Sequence, residues 1–177
     1  SRHLSKYLTQ VTPGRLQSQF IGRDRPLARL TQLQARGGLV RLEAPAGGGK
    51  TRLLEEWSRT QSAEVLWGKV EREAVPTPFL AFREPLLRLE ALLAENKELT
   101  FRLRRELNLR FPILDSMGGT DYLQRSSAVW LARLFSLVHL HIPLVLVLED
   151  VHWADDFTQK FLEFWNSERR EMLVVAS

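Results

Sequence analysis

The sequence predicts an α/β fold in which helices cover both faces of a parallel sheet. Short apolar runs alternate with segments whose leucines recur every three or four residues, as strands and amphipathic helices do. Residues 144–148 are apolar without interruption, which is typical of a strand buried on both faces. Residues 39–42 lead through a glycine-rich loop directly into a helical pattern. We therefore expect one domain built on an open parallel sheet.

The elements can be assigned in chain order from these patterns. A first helix is expected to end at Gly37-Gly38, because glycine readily adopts the left-handed conformation that closes helices. The predicted strands are 38–43, 64–70, the acidic run 143–150 and 171–176, and the predicted helices are 26–36, 50–60, 79–95, 97–107, 121–140 and 156–168. Residues 75–78 are predicted to form a turn, and residues 111–119 a loop. The polar residues 1–18 are predicted to be a linker from an upstream region, which leaves 19–177 as the core.

The glycine-rich loop has the composition of a triphosphate-binding loop. Its backbone N–H groups can turn towards phosphates because glycine has no side chain to obstruct them, and the following helix adds its positive dipole end. Lys50 can reach the outer phosphates, and the Thr51 hydroxyl is placed for Mg²⁺. The pattern G-x-x-x-x-G-K-[ST] begins with glycine where this chain has Ala44, at the turn from strand to loop. The predicted phosphate-binding residues are Pro45, Ala46, Gly47, Gly48, Gly49, Lys50, Thr51 and Arg52.

Two acids, Glu149 and Asp150, end the apolar run that starts at residue 143. Carboxylates there lie at the carboxyl edge of a parallel sheet, where open α/β proteins bind ligands. A Mg-triphosphate requires such a pair, with one acid for the metal and one to orient an attacking water. Taken alone, the segment is better explained as a buried strand followed by an acidic turn. Together with Lys50 and Thr51, it predicts a nucleotide site.

Three segments in order then support a family resemblance: Phe20-Ile21-Gly22-Arg23, the glycine loop, and the acid pair with His152-Trp153-Ala154-Asp155. In combination they resemble the ATPase module of the STAND class, which is related to AAA+ proteins, and especially the branch found in large bacterial transcriptional regulators. The similarity runs from about residue 20 to the end of the chain. It implies a three-layer P-loop NTPase core of the ASCE type that binds ATP with Mg²⁺. It also places Phe20, Ile21 and Arg23 beside the adenine.

The resemblance further implies a strand order and separate roles for the two acids. The strand at 171–176 should lie between the glycine-loop strand and the acidic strand. The family's fifth strand and helical lid would follow residue 177, so the glycine-loop strand is expected at a sheet edge. Glu149 aligns with the metal-facing position, where the family usually has Asp, and Asp150 with the water-orienting one. Neighbouring strand residues point to opposite sides, so the two should act differently, although the roles could be reversed.

Several other side chains have structural explanations that compete with functional ones. His152 and Trp153 could respond to the γ-phosphate, but packing of the loop beneath the sheet is the simpler explanation. Asp155 and Asp156 are expected to cap the next helix, with Gln159 forming a box-like pair with Asp156. The basic cluster of Arg102, Arg104, Arg105 and Arg110 could bind nucleic acid or an acidic partner, but a solvated helix face is the simpler explanation. The side chains expected to face the core are Trp130, Leu134, Phe135 and Val138.

Composition excludes several other classes of protein. The 177 residues include no cysteine, so disulfides and thiolate metal sites are excluded, and a cytoplasmic location is expected. No stretch is apolar and long enough to span a bilayer. A net charge of +4, from 25 basic and 21 acidic residues, is too small for a nucleic-acid surface. Nucleic acid would thus be contacted only through other domains.

Three functions remain open. The first is an ATP-dependent switch that controls effector domains in the same chain, with ATP and ADP as ligands and self-association as a further interaction. The second is a phosphotransferase, although no acceptor motif is visible between the loop and the acid pair. The third is a nucleotide-binding scaffold without turnover. Measuring the fate of the γ-phosphate separates the three.

Overall fold

The computed structural model describes residues 6–12, 15–21, 24–45, 47–70, 79–110, 120–168 and 170–177. Within these ranges the strands are β1 Lys6–Thr12, β2 Arg15–Ile21, β3 Gly38–Glu43, β4 Glu64–Lys69, β5 Leu144–Glu149 and β6 Leu173–Ala176. The helices are α1 Asp24–Arg36, α2 Lys50–Ser58, α3 Arg83–Glu95, α4 Lys97–Arg110, α5 Thr120–His139 and α6 Asp156–Ser167. Short 3-10 turns at Leu80–Phe82 and Val151–Trp153 precede α3 and α6. The predicted turn at 75–78 and loop at 111–119 lie outside the described residues.

The strands form one sheet in the order β2-β1-β3-β6-β5-β4. The four strands from β3 to β4 are parallel, and β6 lies between the glycine-loop strand and the acidic strand as predicted. Helices α1 and α2 cover one face with a core that includes Leu33, Leu54 and Trp57. Helices α3 to α6 cover the other face with a core that includes Phe135 and Phe161. The three-layer α/β architecture is therefore confirmed.

The predicted linker is wrong for the described residues at the start of the chain. Strands β1 and β2 pair antiparallel as a hairpin, with Thr12 opposite Arg15, and β1 pairs antiparallel with β3. The expectation that β3 lies at the edge of the sheet is wrong as well, because β1 occupies that side. An unpaired strand edge exposes N–H and C=O groups that can template association, and the hairpin removes that hazard from β3. The proposal of an upstream region is a separate matter and stays a prediction.

Helix α5 shows one error in the predicted core. Its buried residues Ala128, Leu131, Phe135 and Val138 recur with the helical period and face the sheet. Leu134 is also buried as predicted, whereas Trp130 is 39% exposed because it lies on the opposite side of that period. Among the described helices, none has the length and apolar character that crossing a membrane requires.

Candidate nucleotide site

The glycine loop is a tight turn between β3 and α2. The Gly48 N–H donates to the Pro45 carbonyl across 2.8 Å, which closes the turn. A Cβ on Gly48 would lie 2.8 Å from that carbonyl oxygen and 3.0 Å from the Ala44 Cβ, so a larger residue would push the loop open. Gly49 immediately precedes α2 with φ 72 and ψ 32, a left-handed conformation that glycine adopts without strain. The glycines therefore set the shape that directs the loop into the helix.

Lys50, the first residue of α2, lies over this loop. Its Nζ donates to the Ala44 carbonyl oxygen across 3.1 Å in a partly buried position. An ammonium carries three donors, so two remain for other oxygens. The side chain is thereby held at the base of the loop, at the N-terminal end of α2, where anions are favoured. The next residues, Thr51 and Arg52, are both exposed on the first turn of the helix.

Glu149 lies directly against this turn. Val145 and Val147 of β5 pack into the core beneath α1 and α2. Since strand side chains alternate, Glu149 projects from the same face two residues further on. The Thr51 hydroxyl donates to Glu149 Oε1 across 2.5 Å, joining residues 98 positions apart in the chain. A hydroxyl and a carboxylate at this distance form a set of hard oxygens of the kind Mg²⁺ prefers.

Asp150 lies beyond the end of β5 and leaves the strand in a different direction. It adopts φ 58 and ψ 35, a left-handed conformation that is uncommon for residues other than glycine. The turn is fixed by three backbone hydrogen bonds. The Trp153 N–H donates to the Asp150 carbonyl, the Val151 N–H donates to the Ser177 carbonyl, and the Ser177 N–H donates to the Leu148 carbonyl. The two acids are therefore distinguished by backbone conformation as well as by strand alternation.

The residues that follow the acid pair only partly match expectation. Trp153 is 45% exposed and His152 is exposed, so packing beneath the sheet is the wrong explanation for the tryptophan. Their rings lie 4.9 Å apart between centroids. Asp155 caps α6 as predicted, since its Oδ1 accepts from the Thr158 N–H at 3.0 Å. The expected pair of Asp156 with Gln159 is absent from the described contacts, because the Gln159 amide donates to the Ala154 carbonyl at 2.9 Å.

The predicted adenine-side residues are only partly described. Phe20 and Ile21 end β2, and Phe20 pairs with Tyr7, which in turn pairs with Glu43 at the end of β3. Their backbone thus lies level with the start of the glycine loop, at the carboxyl edge of the sheet. Arg23 and Ala46 lie outside the described residues.

Two contacts at the site were not predicted from the sequence. One is the Ala44 carbonyl as the acceptor for Lys50, and the other is the backbone link from Ser177 to the acid-pair turn. Neither contact could be recognised from residue types, because a backbone carbonyl is the acceptor in both. The position of Ser177 at the end of β6 was visible in the sequence, and the strand order would have placed it beside Leu148.

His139 and the predicted basic cluster both take structural roles. His139 Nδ1 accepts from the Leu144 N–H across 3.0 Å, a bond that requires this nitrogen to be unprotonated. Burial lowers the pKa of His139 below its ordinary value of 6.5. In the basic cluster, Arg102 bonds Glu98 one turn earlier on α4, as on a solvated helix face.

The three-layer fold, the glycine loop and the Thr51–Glu149 contact together define a P-loop nucleotide-binding domain. The chain belongs to the AAA ATPase domain family, whose model matches residues 19–175. No curated protein and no solved structure matches the chain. The family establishes nucleotide binding as the function of the domain, generally with Mg²⁺.

Proposed function

We propose that this chain is the ATP-binding and ATP-hydrolysing switch module of a signal-transduction or transcriptional-regulatory protein. The observation that carries the site assignment is the contact between Thr51 and Glu149, which brings the glycine loop and the acid pair together. The regulatory context rests on the resemblance of the Gly22-Arg23 and His152–Asp155 segments to STAND-class modules. Effector domains in the same protein would receive the conformational signal.

Each residue has a distinct role in this proposal. Lys50 exchanges the Ala44 carbonyl for phosphate oxygens, and backbone N–H groups of the loop and of the first turn of α2, other than the Gly48 N–H that closes the loop, surround the phosphates. Thr51 and Glu149 would hold Mg²⁺, which supplies positive charge to the phosphate oxygens. Asp150 orients the attacking water from its separate position on the turn.

The first test measures the fate of a labelled γ-phosphate after incubation of the intact protein with ATP and Mg²⁺. Release as free phosphate supports the switch. Transfer to an added acceptor would identify a phosphotransferase, and bound but unchanged ATP would identify a scaffold. Lys50→Ala serves as the control for contaminating activity, because it should strongly weaken ATP binding and thereby reduce phosphate release.

The second test separates the acids. Glu149→Gln should weaken Mg-dependent ATP binding, because it removes a charge beside Thr51. Asp150→Asn should leave ATP binding nearly intact and slow phosphate release by roughly 100-fold or more, because positioning of the water matters only in the transition state. ATP titrations and phosphate release are measured for both variants with and without Mg²⁺. The opposite pattern would reverse the two roles, and two unaffected variants would remove the acid pair from the mechanism.

A further inference from the structure

An apolar groove of about 660 Å³ lies between α3, α4 and α5, on the face of the sheet opposite to α2. Leucines from all three helices line it, including Leu89 and Leu103, which are almost fully buried at its floor. A volume of this size accommodates a bulky side chain or part of a helix. The groove shares no lining residue with the glycine loop or the acid pair. It is therefore a separate feature of the molecule.

The groove has a protruding apolar side chain at its own rim. Phe101 of α4 lines the groove and is 70% exposed. Leu87 is 51% exposed and lies on α3 two helical turns before Ala94, which lines the groove, so it adds apolar surface beside the groove. Contiguous exposed apolar surface, unlike a single exposed hydrophobic residue, often marks an interaction site on a soluble protein. A recess next to a protrusion is also the shape that can complement itself.

The charges at the rim of the groove can also complement themselves. Glu90 and Lys97 both line the groove and are both exposed, seven positions apart in the chain. Within the described ranges, neither makes an ion pair. Under a two-fold rotation, Glu90 of one copy can face Lys97 of the other, and the reverse pair forms at the same time. The opposite charges, and the recess beside a protruding ring, can therefore each pair between two identical copies.

We propose that this face, formed by the groove together with Phe101, Leu87, Glu90 and Lys97, is the interface of a symmetric homodimer. Phe101 of each copy enters the groove of the other, and the two Glu90–Lys97 pairs set the antiparallel register. A stable interface buries about 800 Å² of each partner, so the contact reaches beyond the groove to exposed residues of α3 such as Leu87. Because the groove is separate from the glycine loop, dimer formation does not depend on nucleotide binding.

The first experiment is analytical ultracentrifugation of the intact protein over a wide concentration range. We expect a monomer–dimer equilibrium, and a monomer at every concentration would overturn the proposal. Phe101→Ser should raise the dimer dissociation constant at least about tenfold, since central aromatic anchors dominate such contacts. Leu140→Ser is the matched control, because Leu140 is 65% exposed but does not line the groove. Equal effects of the two substitutions would contradict the proposed surface. Circular dichroism confirms that each variant is folded.

The second experiment tests the register. Glu90→Lys alone and Lys97→Glu alone each place like charges opposite one another and should weaken the dimer. The double exchange restores opposite charges and should return the dissociation constant to within a few-fold of the original. Failure of the double exchange to restore dimer formation would refute the two-fold arrangement. Lys50→Ala should leave the dimer unchanged, so the result is distinguishable from any failure of the proposed ATPase function.

Discussion

Replacement of Lys50 by alanine tests the nucleotide site most directly. Among the described residues the ammonium makes one hydrogen bond, to the Ala44 carbonyl, so its removal costs the fold little, on the order of 1 kcal/mol. With ATP present, the same group would contact charged phosphate oxygens. The variant should therefore remain folded while losing nucleotide affinity.

The loss of nucleotide affinity can be estimated from the hydrogen bonds that Lys50 makes with and without ATP. Hydrogen bonds to charged groups contribute about 1.5–3 kcal/mol each, and an ammonium at the loop can reach more than one phosphate oxygen. This contribution is reduced because Lys50 must give up its hydrogen bond to the neutral Ala44 carbonyl when ATP binds. A net contribution of about 2–4 kcal/mol corresponds to a dissociation constant raised roughly 30- to 700-fold, at about 1.4 kcal/mol per factor of ten.

The assay is a titration with a fluorescent ATP analogue, accompanied by thermal unfolding. Lys69→Ala is the matched control, because Lys69 is exposed and pairs with Glu149 in the register of β4 and β5. It removes the same charge at the same sheet edge without touching the loop. An affinity of Lys50→Ala close to that of the unmodified protein would refute the assignment. Equal losses in the two variants would show that general charge attraction, and not a specific contact, is responsible.

Three further results are expected. Gly48→Ala should reduce ATP affinity at least about tenfold in the same titration, because its Cβ would lie 2.8 Å from the Pro45 carbonyl oxygen; an unchanged affinity would contradict the loop geometry. ATP should compete for the site better than GTP, given the resemblance that places Phe20 beside adenine, and equal competition would argue against that base preference. The unfolding free energy should fall as the pH drops below 6.5. The pKa of His139 is lowered in the folded protein, so the imidazole takes up a proton more readily in the unfolded chain, which acid therefore favours. Urea unfolding at about pH 7.5 and about pH 5.5 should show this dependence reduced in His139→Gln and retained in His141→Gln. The same pH dependence in all three proteins would exclude His139 as its source.

Much of the parallel core was predictable because its signals are local and strong. The glycine loop and the uninterrupted apolar run of β5 require no tertiary context to be recognised. Strand β3 was predicted to the residue, since Gly38 and the loop mark both ends. The place of β6 came from the family resemblance, because periodicity cannot reveal strand order.

The errors arose where tertiary contacts decide the outcome. Strands β1 and β2 are polar. Pairing of β1 with β3, and of β2 with β1, stabilises them more than their own composition does. The Pro13-Gly14 dipeptide between two segments that contain β-branched and aromatic residues was an available hairpin signal in the sequence. Trp130 and Trp153 were assigned to packed positions because of their size, although large aromatic residues are also common at surfaces.

At the site, the sequence supplied the residue types but not the distances between them. Thr51 and Glu149 are 98 positions apart, and only the sheet order brings the hydroxyl and the carboxylate together. The left-handed conformation of Asp150 was not predictable from its residue type. The directions in which the two acids project therefore depended on the structure.

The central position of β6 also constrains the order in which this domain can assemble. β6 joins β3 to β5, yet Gly38 pairs with Leu173, at the far end of the chain. During synthesis, β3 can find its neighbour β1 early, whereas its other side has no partner until residues 173–176 emerge. β4 and β5 can pair with each other first, which gives two separate half-sheets. The last strand then joins them, so we expect a late, cooperative folding step, slowed by the long loops that must close.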